Sequence, residues 1–334
     1  MRGRHGNASP ETARSAGISR RNGARLWCAL LGALFAWSCG QEFDLPPQPD
    51  PGRIPTPGTY NLEKVWEIDS PTDLVSQGSY LYVIEGESRV QAYLTRAKQA
   101  IHPQFVGEFE GLIRPTALCL ARRDSTYIIV ADEGDTTVKR YLFTGGAPRF
   151  AFRDTIWDGN FTAIAADQDL NVYLSFAERD TILKYDAEGH RTRLISDRGT
   201  GTGFVISPNG LHWNGEHLLV ADTGKDWVQR LRGDTTNVAA PGDPLGIQKP
   251  LSAPRDVSAD RLGEFIYVAD SGRDRVLKFL RTGSFVDSIY SPTKESTLLE
   301  IPIDNPRFLA VEDSLVFIAD PENNRVVAFR LATL

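Results

Sequence analysis

The chain reads as all-β: a six-bladed β-propeller whose last blade is closed by the N-terminal strand. Three observations predict this. One motif occurs six times, its copies lie 44 to 50 residues apart, and the two ends of the chain supply complementary strand-like runs. Of 334 residues, 41% are hydrophobic and 10% aromatic, enough for a buried core and too many for a disordered chain. With only three cysteines, Cys28, Cys39 and Cys119, a disulfide-stapled scaffold is excluded.

The last two copies are the clearest. Residues 254–257 (PRDV) lead to 265–270 (FIYVAD) and then to 275–279 (RVLKF). Residues 306–309 (PRFL) lead to 316–320 (VFIAD) and then to 325–329 (RVVAF). Earlier copies start at PTDL (71–74), PTAL (115–118), FTAI (161–164) and PNGL (208–211). The first has Glu85 where later copies have Asp, and the third has lost both Pro and Asp. The last valine-like position of each copy falls at 90, 138, 182, 228, 276 and 326. Each copy holds three short β-rich runs and usually a fourth, such as 150–156 or 284–290. Four strands every 40 to 50 residues make a propeller blade. Nearly continuous apolar runs fit a sheet covered on both faces, and the 3.6-residue period of a helical solenoid is absent. The sixth copy ends just after its third strand, while residues 60–68 (YNLEKVWEI) form a strand-like run with no blade of their own. That run is expected to pair beside 326–331 and complete the last blade, since a bare edge invites aggregation.

Residues 1–38 stand apart as an export signal. Six arginines and a single acid, Glu11, precede the apolar run 26–38 (LWCALLGALFAWS). Thirteen residues of helix reach only about 20 Å, against roughly 30 Å for a bilayer core, so an export signal fits better than a membrane span. Arg20-Arg21 lacks the apolar follow-up of a twin-arginine signal. Ser38-Cys39-Gly40 resembles a bacterial lipoprotein processing site, with Cys39 as the lipidated residue; the alternative is ordinary cleavage nearby with Cys39 incidental. Residues 39–59 then form a tether with six prolines between 41 and 58, a stiff spacer ahead of the propeller at 60–334. Without the leader the 37 basic and 43 acidic residues become 31 and 42, a net charge near −11. Such a surface repels nucleic acid and anionic lipid, leaving the lipid anchor as the one contact with membrane. Cys119, in the apolar run ALCL, is expected to be buried and inert.

The motif Pro-x-x-Val/Leu … Val-Ala-Asp-x-x-Asn/Arg-x-Arg-Val resembles the NHL repeat, over six copies spanning 60–334. The resemblance implies a six-bladed propeller, in agreement with the count above, and a function that in this family is mostly binding. The repeated Asp132, Asp222, Asp270 and Asp320 each end a strand. They are expected to accept backbone hydrogen bonds, with Arg89, Arg275 and Arg325 pairing to such acids.

Function is sought where the copies differ. The turns entering the innermost strands place Asp73, Thr116, Thr162, Asn209, Arg255, Asp256 and Arg307 near one mouth of the channel, with Lys225, Arg273 and Asn323 farther out on that face. Arg255 and Arg307, from adjacent blades, could grip an anion or could simply be solvated. Residues 207–223 (SPNGLHWNGEHLLVADT) resemble part of the regucalcin/gluconolactonase family. That resemblance implies a divalent-metal role for Asn209, although Ser70-Pro71-Thr72, Thr162 and Arg255 stand where a Glu, a further Asn and an Asp belong and Asp256 is one residue out of register. Four histidines, His102, His190, His212 and His217, remain after the leader, and only His212 falls on an innermost strand, which is sparse for a zinc lyase. The expectation is an exported, lipid-anchored, monomeric binding or scaffold propeller at the bacterial cell envelope. It would take a protein or small-molecule ligand at the channel mouth, with no cofactor and no catalysis. The alternative is a calcium- or other metal-dependent hydrolase or lactonase centred on Asn209.

Overall fold

The computed structural model describes residues 60–86, 88–95, 103–146, 148–156, 158–232, 243–244, 251–290 and 303–331. The export segment, Cys39 and the tether lie outside the described residues. Six four-stranded antiparallel sheets follow one another in chain order. The first blade is β2 (Pro71–Gln77), β3 (Tyr80–Glu85), β4 (Arg89–Leu94) and β5 (Gln104–Glu108). The second is β6 (Pro115–Arg122), β7 (Thr126–Asp132), β8 (Thr137–Leu142) and β9 (Arg149–Thr155). The third is β10 (Ala163–Ala166), β11 (Val172–Phe176), β12 (Thr181–Tyr185) and β13 (Arg191–Ser196). The fourth is β14 (Pro208–Trp213), β15 (Leu218–Asp222), β16 (Trp227–Leu231) and β17 (Asp243–Pro244), and the fifth β18 (Pro254–Ala259), β19 (Phe265–Asp270), β20 (Arg275–Leu280) and β21 (Phe285–Tyr290). The sixth is β22 (Phe308–Glu312), β23 (Leu315–Asp320) and β24 (Arg325–Leu331), completed by β1 (Tyr60–Glu67). The expected closure is thus present: Tyr60 pairs with Leu331, Val65 with Val327 and Trp66 with Val326.

The apolar runs are continuous because each strand feeds two interfaces. In β19, Ile266 and Val268 pack with Leu219 and Ala221 of the fourth blade, while Tyr267 and Ala269 pack with Val316 and Ile318 of the sixth. Six such clusters occupy the six blade-to-blade interfaces. The hydrophobic effect therefore holds the ring together all the way round rather than at one centre.

Polar clips fix the blades' rotation about one another. The strand-end acids behave as expected. Asp132 accepts the amides of Ile113 and Arg114 at 2.8 and 2.7 Å, Asp222 that of Ile206 at 2.7 Å and Asp270 that of Ser252 at 2.6 Å, each tying down the loop ahead of its own blade. Arg275 and Arg325 bind Asp270 and Asp320 at 2.6 and 2.7 Å, and Arg89 binds Glu85 at 3.3 Å. A second series was not foreseen. Asp180, Asp226, Asp274 and Asn324, all left-handed at φ 50–56°, accept the amides of Ser207, Ala253, Asn305 and Ser70 in the following blade. Short Asp and Asn side chains suit both demands, since they tolerate the left-handed region and reach a backbone N–H.

Candidate functional site

The innermost strands β2, β6, β10, β14, β18 and β22 enclose a cavity of about 270 Å³ along the axis of the ring. Its lining runs from Asp73, Asn209 and Asp256, near the starts of these strands, to Arg122, Gln168 and Arg261, at or just past their ends. A β-bulge shapes how the entering turns meet it, Asn209 being the extra residue of its turn that still lines it. The ladder skips a residue between Pro71 and Asp73, Pro115 and Ala117, Pro208 and Gly210, and Pro254 and Asp256. The second residue of each of these copies is thus the extra one, turned out of the ladder, and the third residue takes its place.

Asp73 and Asp256 occupy that third position. Each takes an amide from its own strand and one from the next blade. Asp73 accepts Leu74 and Leu118 at 2.7 and 2.6 Å, and Asp256 accepts Val257 and Leu309, both at 2.8 Å. Gly210 makes room for this, since a Cβ there would lie 2.6 Å from the Asp256 Cα and 2.7 Å from its Oδ1. Among the described residues neither carboxyl has a cation as partner. Burial pushes Asp73 up to about 7 against the pull of its two amide bonds. Burial, and then the nearby Asp73, raises Asp256 well above the carboxylate range.

A pH dependence follows. The native fold binds these protons more tightly than the unfolded chain does. The stability so gained is complete below about pH 4 and is lost as pH rises through about 7. Asp73→Asn is expected to cost stability at every pH, by setting an amide against the Leu118 N–H. The cost should nonetheless be larger near pH 4 than near pH 8, because the variant no longer gains from protonation. Melting temperatures of both proteins across about pH 4–8 check this, and a constant difference would refute it.

The other expected site residues are placed as follows. The Asn209 amide donates to Ser207 O and Thr223 Oγ1 at 2.9 and 2.8 Å, inside its own turn. The Thr116 hydroxyl donates to Ala131 O at 3.2 Å, and that of Thr162 accepts from the Ala177 amide at 2.9 Å. Arg307 is paired to Glu322 at 2.6 Å, while Arg255 is exposed and has its pKa lowered by burial of part of its length and by Arg307. None of Thr116, Thr162, Arg255 and Arg307 lines the cavity. The outer trio is also engaged: Lys225 with Asp222 at 3.0 Å, Arg273 with Asp270 at 3.8 Å and Asn323 with Asp320 at 3.0 Å.

A hard cation needs six to eight oxygens. Here Asn209 offers a single carbonyl oxygen, its NH2 group donating into its own turn, while the Thr162 oxygen already accepts a hydrogen bond and Arg255 brings a like charge. Among the described residues no three His, Cys, Asp or Glu side chains gather as a metal site. These residues do not fit a calcium centre. Cys119 is free and buried, and burial raises its thiol pKa well above the ordinary value, as expected of an inert cysteine.

At the far end of the cavity lie residues the repeats did not reveal. Arg122 donates to Gln77 Oε1 at 2.7 Å; burial and the charge of Arg261 pull its pKa down, opposed by Glu312. His212 is pushed down to about 4 by burial and then by Arg122, so its imidazole is neutral at pH 7. Trp213 stacks on Tyr173 with ring centroids 5.6 Å apart and donates from Nε1 to Gln168 at 3.2 Å. The one sequence signal for this end is the residue just past each innermost strand. That residue is Asp in three blades and Gly78, Arg123 and Asn214 in the others, and the arginines of the cavity flank it, Arg122 one place before it and Arg261 one place after.

No family model matches the chain. NHL repeat-containing protein 2 of Gallus gallus is 30% identical over 80 residues, which is 23% of this chain and 11% of that protein. A probable peptidyl-alpha-hydroxyglycine alpha-amidating lyase of Caenorhabditis elegans is 28% identical over 150 residues, 41% of this chain and 40% of the lyase. The matched segments thus span well under half of either relative. Among solved structures, a chain of a nidogen/laminin complex superposes with a TM-score of 0.55 at 18% identity, covering 76% of this chain and 90% of that one. Virginiamycin B lyase from Staphylococcus aureus does so with a TM-score of 0.54 at 10% identity, covering 81% and 99%. Both structural likenesses are of fold.

Proposed function

Taking the chain as an NHL-repeat β-propeller of six blades, we propose that it is a non-catalytic binding module that holds its ligand in the central channel. The blades act as a rigid frame, and recognition falls to the residues that differ between copies. The observation that carries the reading is a contrast within the ring. The repeated acids and their cations are consumed in clips between and within blades, whereas the cavity is lined at one end by polar groups that differ from blade to blade. The module needs no resident metal or cofactor. Residues 1–38 would direct export, Cys39 would carry the lipid, and residues 39–59 would hold the monomeric propeller away from the membrane at the cell envelope.

The test is the metal content of the purified full chain, with its melting temperature in EDTA and in added calcium. The expected result is no stoichiometric metal and an unchanged melting point. A ligand at 100 times its dissociation constant would stabilise the fold by about 2.7 kcal/mol, which such a melt detects readily. Stoichiometric metal with a melting point that falls in EDTA would overturn the reading in favour of a metal-dependent hydrolase around Asn209.

A further inference from the structure

We propose that the channel end formed by Arg122 and Arg261 binds a small oxyanion-bearing ligand with hydroxyl groups, a hydroxy acid or a sugar-like phosphate ester. The proposal rests on the reading of the channel as a ligand site and adds the chemistry of what enters it. Its first support is the pair of guanidinium groups. Arg122 ends the innermost strand of the second blade and Arg261 follows that of the fifth, so they approach the same cavity from opposite sides of the ring. Among the described residues neither has a carboxylate within ion-pair distance. Arg122 holds only the neutral amide of Gln77, and Glu312, buried on the sixth blade, acts on it through space alone. Two like charges facing one cavity repel each other, and a bound oxyanion turns that repulsion into two charge-assisted hydrogen bonds.

The second support is independent of charge. Ser76, only 4% exposed, lines the same cavity, and among the described residues its hydroxyl has no hydrogen-bond partner. An unsatisfied buried hydroxyl is costly, and one that faces a polar cavity is a place for a ligand atom or a water. Around it stand the hydroxyl of Ser258, 5% exposed, and the imidazole of His212, neither of which makes a hydrogen bond among the described residues. Neutral His212 offers one donor and one acceptor, and each serine offers both. Such groups match the hydroxyls of a polyol acid better than an alkyl chain. A cavity of about 270 Å³ is near the lower limit for small-molecule pockets and holds a ligand of metabolite size.

Calorimetric titration of the full chain with glycerate, glycerol 3-phosphate and glycerol tests the proposal and separates carboxylate from phosphate. At least one anion is expected to bind, more weakly at higher salt, while glycerol does not. Arg261→Gln, at an exposed position, should weaken that anion about tenfold or more, and Ser76→Ala should weaken it several-fold. Arg255→Gln, on the face where the innermost strands begin, should leave it unchanged. The anion class is overturned if glycerol binds as well as its anions, if neither anion binds, or if Arg261→Gln binds as wild type does. Any of these results leaves a neutral ligand in the channel open, whereas stoichiometric metal with a melting point that falls in EDTA would overturn the channel-binding reading itself.

Discussion

Trp66→Ala is expected to cost about 3–5 kcal/mol, a large share of the roughly 5–15 kcal/mol that stabilises a folded domain. Trp66 is the anchor of the closing strand. It is 1% exposed, stacks on Phe317 with ring centroids 5.9 Å apart and an interplanar angle of 17°, and packs with Leu74, Leu81 and Val326. It therefore joins β1 to the sixth blade and the sixth blade to the first. Removing the indole leaves a cavity at the one place where the ring is closed by pairing between the two ends of the chain. Because β1 pairs along β24 alone, the loss should appear first as faster amide exchange in Tyr60–Glu67, ahead of the other blades. The bare edge of β24 would then make the variant prone to aggregate. Trp66→Phe separates packing from polarity. Among the described residues the buried indole N–H has no partner, so phenylalanine removes an unsatisfied donor while keeping most of the apolar area, and its cost should be about 1 kcal/mol or less. Chemical denaturation and hydrogen exchange give both readouts. An alanine variant within 1 kcal/mol of wild type, or exchange that rises uniformly, would refute this account of closure.

The fold was legible because its determinants are local and repeated. Each blade carries its own turn residues, its strand-end acid and its doubly apolar strands, so five copies could be read against one another and the sixth inferred. The third copy reads poorly for a physical reason. It lacks the strand-end acid, and the corresponding loop is held instead by the Thr162 hydroxyl accepting the Ala177 amide. The channel was legible only in part. Asp73 and Asp256 were placed near it, yet the bulge that turns Thr116 and Arg255 out of the ladder leaves no mark in a one-letter pattern. The far end was legible only at His212, the one histidine that falls on an innermost strand. Ser76, Arg122, His212 and Arg261 come from four blades, share no spacing, and sit where the repeat motif makes no demand. A site assembled from the non-repeating ends of repeated units has no sequence period, and only closing the ring brings its members together.

The buried lysine of the second blade gives the other large effect. Lys139 is 1% exposed in its side chain and binds Asp132 at 2.5 Å and Asp135 at 2.8 Å, with Asp132 itself fully buried. The same place is filled by Gln229 in the fourth blade and approached by Arg275 and Arg325 in the fifth and sixth, so the partner varies while the acid persists. Replacing Lys139 by methionine keeps much of the side-chain volume and leaves Asp132 with backbone amides alone. Removing one partner of a buried ion pair costs about 3–5 kcal/mol, because the remaining charge is uncompensated. The sign of the pH effect is fixed by Asp132. Burial pushes its pKa up, but Lys139 and the amides of Arg114 and Ile113 outweigh burial and hold it below the ordinary value. A lowered folded-state pKa contributes stability that is present above the unfolded pKa of about 4 and is lost as pH falls through the folded one. The Lys139→Met deficit should therefore be greatest near neutral pH and shrink on acidification, as Asp132 takes up a proton first in the variant and, only below its lowered folded-state pKa, in the wild type. Adding Asp132→Asn should recover part of the loss at pH 7, since a neutral amide needs no cation. Urea denaturation of the two single variants and the double variant at two pH values measures each of these differences. A deficit that grows on acidification, or a double variant less stable than the sum of the singles, would show that Lys139 acts through packing and not as the counter-ion of Asp132.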